Sequence, residues 1–468
     1  MRWILLFLLW SNVCIATTYQ VAVDGSGDYT TLAGGQSVLA DGDTIQLNRG
    51  DAWVENITVN KNNITIEAYG SGAKPIINGK LNRGIVKNAL SISNISFISA
   101  GLRCIDITAG GVGLTVDACD FDGNNYDVPL INAFGAGGDY LENVTISNCT
   151  FTNTFDQAHT SGLAISFQRK VKNILIENCT IKNQGEFGIQ IYSDWYTEQN
   201  TDWIVRGCTV TNDEFPTSRH GGINIGQLTD NVVVENNYVS NCRAGIEVDS
   251  HNLGADEGYL IKNNIVYNCI YHISILANND PNSPTIHPVG MDTTNNVKVY
   301  NNTVVFGIDS VAGIVFTSYA NKGGAGHIVR NNIVVTDETF WANILITDAE
   351  GGTCILEVDS DYNNFYCTAG AIRFYGPTGY DDPLTFAQWK ALGYDAHSIE
   401  ANPLLRSATD YRLQKTSPCI RAGVSLPEVT DDYEGTPRFS GVGGSNSIGA
   451  YEYYKAKIRN ATLRHSTI

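Results

Sequence analysis

The chain is poor in several things, and each shortage narrows the choices. Methionine occurs only twice in 468 residues and proline twelve times, whereas Tyr, Val, Ile, Thr and Asn crowd the periodic stretches and Gly reaches 46. Such a mixture favours strands and turns over helices. Basic residues are scarce, 30 Lys and Arg against 48 Asp and Glu, and the resulting formal charge of −18 suits nucleic acid poorly. Neither a P-loop nor a dinucleotide-binding glycine fingerprint is present, so nothing points to a nucleotide, and nothing points to haem. The one strongly apolar run, Trp3 to Trp10, is too short to span a bilayer. Preceded by Arg2 and followed by Cys14-x-Ala16, it reads as a secretory signal over residues 1–16, with a lipid anchor on Cys14 as the rival reading. Secretion or display at the cell surface is therefore expected. Ten cysteines remain beyond that segment, in a compartment that permits disulfides.

Length alone suggests two or three domains, but the sequence repeats itself. "NVTISNCTFTN" at Asn143 returns as "NILIENCTIKN" at Asn173, "DWIVRGCTVTN" at Asp202 and "NVVVENNYVSN" at Asn231. Counting related copies, the starts fall at 113, 143, 173, 202, 231, 258, 296 and 326, with gaps of 30, 30, 29, 29, 27, 38 and 30. Weaker copies begin at Asn88 and Val358. A steady period of this length signals a repeat architecture. Each copy holds two short alternating strands with a polar break, which suits one coil of a parallel β-helix stacked on the next about 4.8 Å away. Equivalent positions then form columns. One column reads Cys119, Cys149, Cys179, Cys208, Asn237, Asn264, Asn302, Asn332, and is expected to point inward as a thiol stack continued by an asparagine ladder. Parallel thiols have poor disulfide geometry, and they do not converge as metal ligands must. Pairing among Cys242, Cys269, Cys354, Cys367 and Cys419 stays open. Sequons such as Asn148-Cys-Thr and Asn178-Cys-Thr fall in the same register, and their asparagines are expected to point inward as well.

Stacked coils with an asparagine ladder resemble the right-handed parallel β-helix superfamily of pectate lyase-like proteins. "VDGSGDYTTLAGGQSVLADGDTIQLNRG" is similar to the amino-terminal opening of such proteins, with a short capping helix near Leu32 to Leu39, and "ITIEAYGSGAKPIING" to a first coil of secreted bacterial members. "ANPLLRSATDYRLQKTSPCIRAG" and "DYEGTPRFSGVGGSNSIGAYEY" are similar to closing coils and a cap. The resemblance implies an all-β chain forming a single solenoid: repeats over 17–365, closing coils and cap over 366–454, and a basic tail over 455–468. It implies extracellular carbohydrate biology but no particular reaction, because the superfamily includes lyases, hydrolases, epimerases and adhesins. The Arg-x-Pro-x-x-Arg of classical pectate lyases, the Asn-Thr-Asp and Gly-His-Gly of polygalacturonases and the Asp-Pro-His-Asp of mannuronan epimerases are all missing.

The site must therefore be sought on the columns. Outward positions from Glu177 to Lys262 alternate in sign coil by coil and read as a solvated ion-pair ladder. The later strand of each coil, as in "GIQIYSD", "GINIGQL" and "GIEVDSH", places polar residues outward in the middle coils. The longest insertion, Ala277 to Thr294, follows directly, and insertions crowd binding faces. A groove over Gly188 to Asn278 is the expected site. Glu247 and Asp249, two apart on a strand and so on one face, are candidate Ca²⁺ or sugar ligands. His251, His220, Arg219 and Asp194 are candidate catalytic groups, and Gln190, Tyr192, Trp195, Asn224 and Asn278 candidate substrate contacts. Two reactions suit this set. A lyase cutting a uronate needs its carboxylate neutralised and a base at the α-carbon. A hydrolase needs paired carboxylates, about 5–5.5 Å apart for retention or about 6.5–9.5 Å for inversion. A non-catalytic adhesive surface is the third reading. A polysaccharide is the expected partner in all three. The oligomeric state is open.

Overall fold

The computed structural model describes residues 16–453, apart from 84–87, 109, 127, 136–138, 155–161, 193–199, 214–220, 227–228, 250–257, 278–293, 308–309, 319–323, 338–341, 349–356, 377–382 and 440–444. The signal segment and the basic tail lie outside the described residues. Three parallel sheets of 13, 13 and 12 strands run the length of the molecule, each visited once per coil. A coil supplies the first sheet with a strand such as Leu141–Ser147, turns over two residues into the second sheet at Thr150–Thr152, and reaches the third at Ile165–Gln168. The next coil repeats the path through Val171–Glu177, Thr180–Lys182 and Phe187–Tyr192, paired in register with the one before.

Alternation decides which side chains go in. Val144, Ile146, Ile174, Ile176, Val205, Val232, Val234 and Ile261 from the first sheet are fully or almost fully buried. From the second sheet, Phe97, Phe121 and Phe151 stack with ring centroids 5.1 and 4.7 Å apart. Trp203 meets the edge of Phe167 at 5.2 Å. The helix Leu32–Ser37, capped by Thr31, covers the first coils with Leu32 buried. At the far end Phe386 and Trp389 of the helix Phe386–Ala391 pack on Phe374.

The two-residue bend between the first and second sheets is where the column lies. In Asn237, Asn264, Asn302 and Asn332 the side-chain oxygen accepts the backbone N–H of the preceding coil at 2.9–3.0 Å, beginning with Cys208 N. Each amide nitrogen donates to a carbonyl of that same preceding coil, for example Asn302 to Ile261 at 2.9 Å. Asn363 extends the ladder, and Ser398 closes it. Below Asn237 the thiols of Cys119, Cys149, Cys179 and Cys208 take over, each donating to the carbonyl two residues earlier at 3.1–3.4 Å. Every described cysteine is a buried free thiol. Hydrogen bonds shared with Cys149, together with burial, hold the Cys119 and Cys179 thiols well above the usual range.

The bend corrects one expectation. Asn148 and Asn178 are exposed, not inward, because they adopt left-handed conformations with φ of +55° and +54°. That conformation turns the sequon asparagine outward and hands the inward position to the following cysteine. Outward ion pairs form as the alternating signs imply, with Arg206–Glu177 at 2.7 Å and Lys262–Glu235 at 3.0 Å.

Residues 401–453 run back along the side of the solenoid. Asn301 donates to the Ser447 and Gly449 carbonyls, and Asn331 to the Val424 carbonyl. Within this strap Arg438 and Glu452 form a wholly buried ion pair at 3.2 Å, and Arg438 also reaches Asn263.

Two outcomes follow. Asn302→Ala deprives the Asn264 N–H and the Ile261 carbonyl of their partners, so it should cost about 2–4 kcal/mol in chemical denaturation, whereas Cys179→Ala should stay within about 1 kcal/mol. Equal costs would show that the ladder adds nothing beyond packing. Denatured without reductant, the protein should take alkylating reagent on Cys119, Cys149, Cys179 and Cys208, and a mass showing any two of them bridged would contradict the stack.

Candidate functional site

The third sheet presents the site. Its strands begin at recurring glycines because the chain corners tightly there: a Cβ on Gly222 would lie 2.2 Å from the Gly245 carbonyl oxygen. Beyond the corner Ile189, Ile191, Ile223, Ile225, Ile246 and Val248 point inward and are fully buried. The residues between them point outward and form a row. Strand pairing puts Asp106 beside Asn132, then Ser166, Gln190, Asn224, Glu247 and Ser274 in consecutive coils. A second row joins Gln168 to Tyr192, and Asp249 to Leu276 and Thr317.

These rows are not uniformly open. Asn132, Ser166, Asn224 and Ser274 are buried although they face outward, while Gln190, Tyr192, Glu247 and Asp249 keep partial exposure. Towards the carboxy-terminal coils the row becomes apolar, with Val315 and Leu345 buried beside Ala312 and Ala342. At the other end the row continues through Asn82 and Thr58, polar and partly exposed, while the accessible acids Glu247 and Asp249 stand in the middle coils.

Glu247 is its electrostatic centre. Asn224 donates to its carboxylate at 2.9 Å. Burial, and next the charge of Asp249, push the Glu247 carboxyl up to about 7, with Arg243 and the Asn224 amide opposing. A cluster lower on the same face works in the other sense. Lys80 and Arg103 meet Asp106 at 2.6 and 3.2 Å, and Asn132 donates to it at 3.0 Å. Burial raises the Asp106 carboxyl, but the Lys80 and Asn132 hydrogen bonds and the Arg103 charge outweigh it and leave the value lowered. Gln168 continues this network by donating to Asn132 at 3.4 Å.

Of the residues expected from the sequence, Gln190, Asn224 and Glu247 stand in one row on successive coils. Asp249 follows Glu247 two residues on, and Tyr192 likewise follows Gln190. Gly226 lies beside Tyr192, and a Cβ there would come within 2.7 Å of the Tyr192 Cβ. Asp194, Trp195, Arg219, His220, His251 and Asn278 lie outside the described residues. The Asp106 network was missed. Its signal was the alternation of "CIDIT", which puts Asp106 on the outward face between Ile105 and Ile107. His272, at the Gly245 position of the next coil, is structural. Its ring nitrogens approach the Ala312 and Val305 carbonyls at 3.0 and 3.1 Å, it stacks on Phe306, and burial lowers it to about 4.

For a metal, Glu247 and Asp249 with the amide oxygens of Gln190 and Asn224 offer oxygen donors only, the set Ca²⁺ takes. Among the described residues no three His, Cys, Asp or Glu side chains stand together, so any further ligands must be amides, backbone, water or substrate.

The sequence matches the right handed beta helix region family over residues 135–367, the coils that carry this site. No curated protein sequence matches it. Among solved structures, a complex of XylC with xylose shares 11% identity over 94% of this chain and 98% of that one, with a TM-score of 0.48. A rhamnogalacturonan lyase shares 13% over 74% and 87%, with a TM-score of 0.39. An alginate lyase from Paenibacillus sp. str. FPU-7 shares 13% over 78% and 99%, with a TM-score of 0.35. The chain is a right-handed parallel β-helix, and its resemblance to the pectate lyase-like proteins holds at the level of the fold. No helix among the described residues is long and apolar enough to cross a membrane.

The Glu247 environment gives a pH signature. A carboxyl whose folded value lies near 7 penalises the folded state as pH rises from its ordinary value of 4.5 through 7. Glu247→Gln removes that penalty. The variant should match its parent near pH 4 and exceed it at pH 8 by about 1–3 kcal/mol in thermal or chemical unfolding. A stability difference that does not change with pH would show that Glu247 is not held in this way.

Proposed function

We propose that this chain is an enzyme acting on a polysaccharide outside the cell or at its surface, with Glu247 and Asp249 as its charged centre. The observation that carries the reading is the pair itself: two acids on one strand, partly accessible, in the middle of a polar row, with one held near 7. Environments that push two neighbouring carboxyls apart divide acid and base roles between them. Structural ion-pair ladders do not require this, and the ladder of Glu177 with Arg206 and Glu235 with Lys262 lies on the first sheet.

Elimination at a uronate is the leading reaction. The pair is where a divalent cation would fit, since such a charge offsets the burial and the Asp249 repulsion that raise Glu247. Bound there, the cation would neutralise a uronate carboxylate. Asn224, one coil below, fixes the Glu247 carboxylate by its hydrogen bond, and Gln190 and Tyr192, both two coils below the pair, can orient sugar hydroxyls. The proton at the α-carbon would pass to His251, His220 or Arg219. Hydrolysis is the second reading, favoured by Glu247 itself. Held near 7, it can donate to a leaving oxygen while Asp249 serves as base or nucleophile.

Glu247→Ala with Asp249→Ala should abolish turnover while leaving cooperative unfolding in place, because both side chains lie outside the core. New ends carrying the ultraviolet absorbance of an unsaturated uronate identify elimination, and reducing ends without it identify hydrolysis. Ca²⁺ should also raise the unfolding temperature of the parent and not of the double variant. Binding without either product, on uronate and neutral glycans alike, would replace the enzyme with an adhesive surface.

A further inference from the structure

A different face carries a second, unassigned feature. The outer surface of the first sheet holds a shallow cavity of about 470 Å³ over four coils. Its floor is mostly aliphatic and partly exposed: Thr145, Leu175, Ile204 and Val233 stand in register, and Leu260 continues the line into the next coil. One wall is made by Asn143, Asn173, Asp202 and Asn231, which occupy one bulged position skipped by the strand pairing, with φ of +53° to +62°. The bulge lifts their side chains clear of the sheet. They hydrogen-bond along the axis, Asn173 to Asn143 at 3.1 Å and Asn231 to Asp202 at 2.5 Å. The other side is bordered, beyond the cavity and two residues on from the floor, by the paired charges of Glu177 with Arg206 and Glu235 with Lys262.

We infer that this gutter binds an extended neutral polysaccharide. The shape and charge of the walls choose this occupant. One wall is largely amide, and the charges bordering the other side are closed into pairs, so the gutter offers no uncompensated cation to a polyanion. A net charge of −18 repels polyanions further. A neutral ribbon of pyranoses has an apolar C–H face for the aliphatic floor and hydroxyls along its edges for the amide wall. Coils repeat about every 4.8 Å, and those of Leu175 with Asn173 and Val233 with Asn231 offer a sugar both an aliphatic residue and an amide, with Asp202 beside Ile204 as a hydroxyl acceptor between them. The gutter lies on the first sheet, whereas the carboxylate pair lies on the third, so it can hold insoluble or bulk glycan while the other face works. This inference stands on the first sheet alone and does not require either proposed reaction.

Affinity electrophoresis through gels containing soluble mixed-linkage β-glucan tests it. The parent should be retarded. Ile204→Lys with Val233→Lys places two cations on the floor and should weaken retardation at least tenfold. Asn173→Gly with Asn231→Gly removes the wall amides at positions whose positive φ glycine accepts, and it should weaken retardation even if the lysine variant unfolds. Glu247→Gln with Asp249→Asn should be retarded like the parent. The inference is overturned if the parent migrates freely, if both gutter variants bind normally, or if only the third-sheet variant loses binding. A change of sedimentation coefficient in the gutter variants would overturn it too, because the face would then be an interface between copies.

Discussion

The backbone N–H at the bend between the first and second sheets is the constraint on which the solenoid depends. Strand pairing satisfies backbone groups along the faces but fails where the chain turns inward over two residues, and a buried N–H left alone is costly. Asn237, Asn264, Asn302, Asn332 and Asn363 answer it with one repeated arrangement, each oxygen accepting the N–H of the coil below and each amide nitrogen donating to a carbonyl of that coil. Such an arrangement fixes the stacking distance and the register together. A slipped coil would break two bonds in each neighbour. In the earlier coils thiols fill the same volume and donate to carbonyls, but they cannot accept an N–H as an amide oxygen does.

Everything else in the molecule is arranged around that axis. Aliphatic side chains fill the interior because alternation sends them there, and the helices at either end cover what would be open edges of the stack. The strap of residues 401–453 ties its own backbone to the outward asparagines of the bend, so one turn motif serves the inside through the ladder and the outside through Asn263, Asn301 and Asn331. Function is then left to the outward positions, where side chains cost the core little and can vary. On the third sheet this freedom yields a carboxylate pair in which burial and mutual repulsion hold one acid near 7. On the first it yields a gutter of aliphatic floor and amide wall.

Much of this was legible in the sequence because a solenoid turns periodicity directly into columns. The inward position of Cys119 and Asn302, the ion pair of Glu177 with Arg206, and the common face of Gln190, Asn224 and Glu247 all follow from counting. The outward turn of Asn148 did not, since the count says which residue sits at a bend but not which of two neighbours takes the left-handed conformation. Asp106 was overlooked because its coil is a weak copy, and Lys80 and Arg103, which make it a site of charge, lie outside the repeat pattern.

What the sequence determined by itself was the fold, the register and the division of side chains between core and surface, since all three rest on local alternation and on contacts one period away. Tertiary structure alone decided burial on the outward faces and the packing of the strap. Ser166 and Asn224 face outward yet are buried, and Arg438 reaches Asn263 across 175 positions of sequence. The value of Glu247 belongs with these, because a carboxyl titrates according to the water and charge around it, and both are set by segments that no period describes.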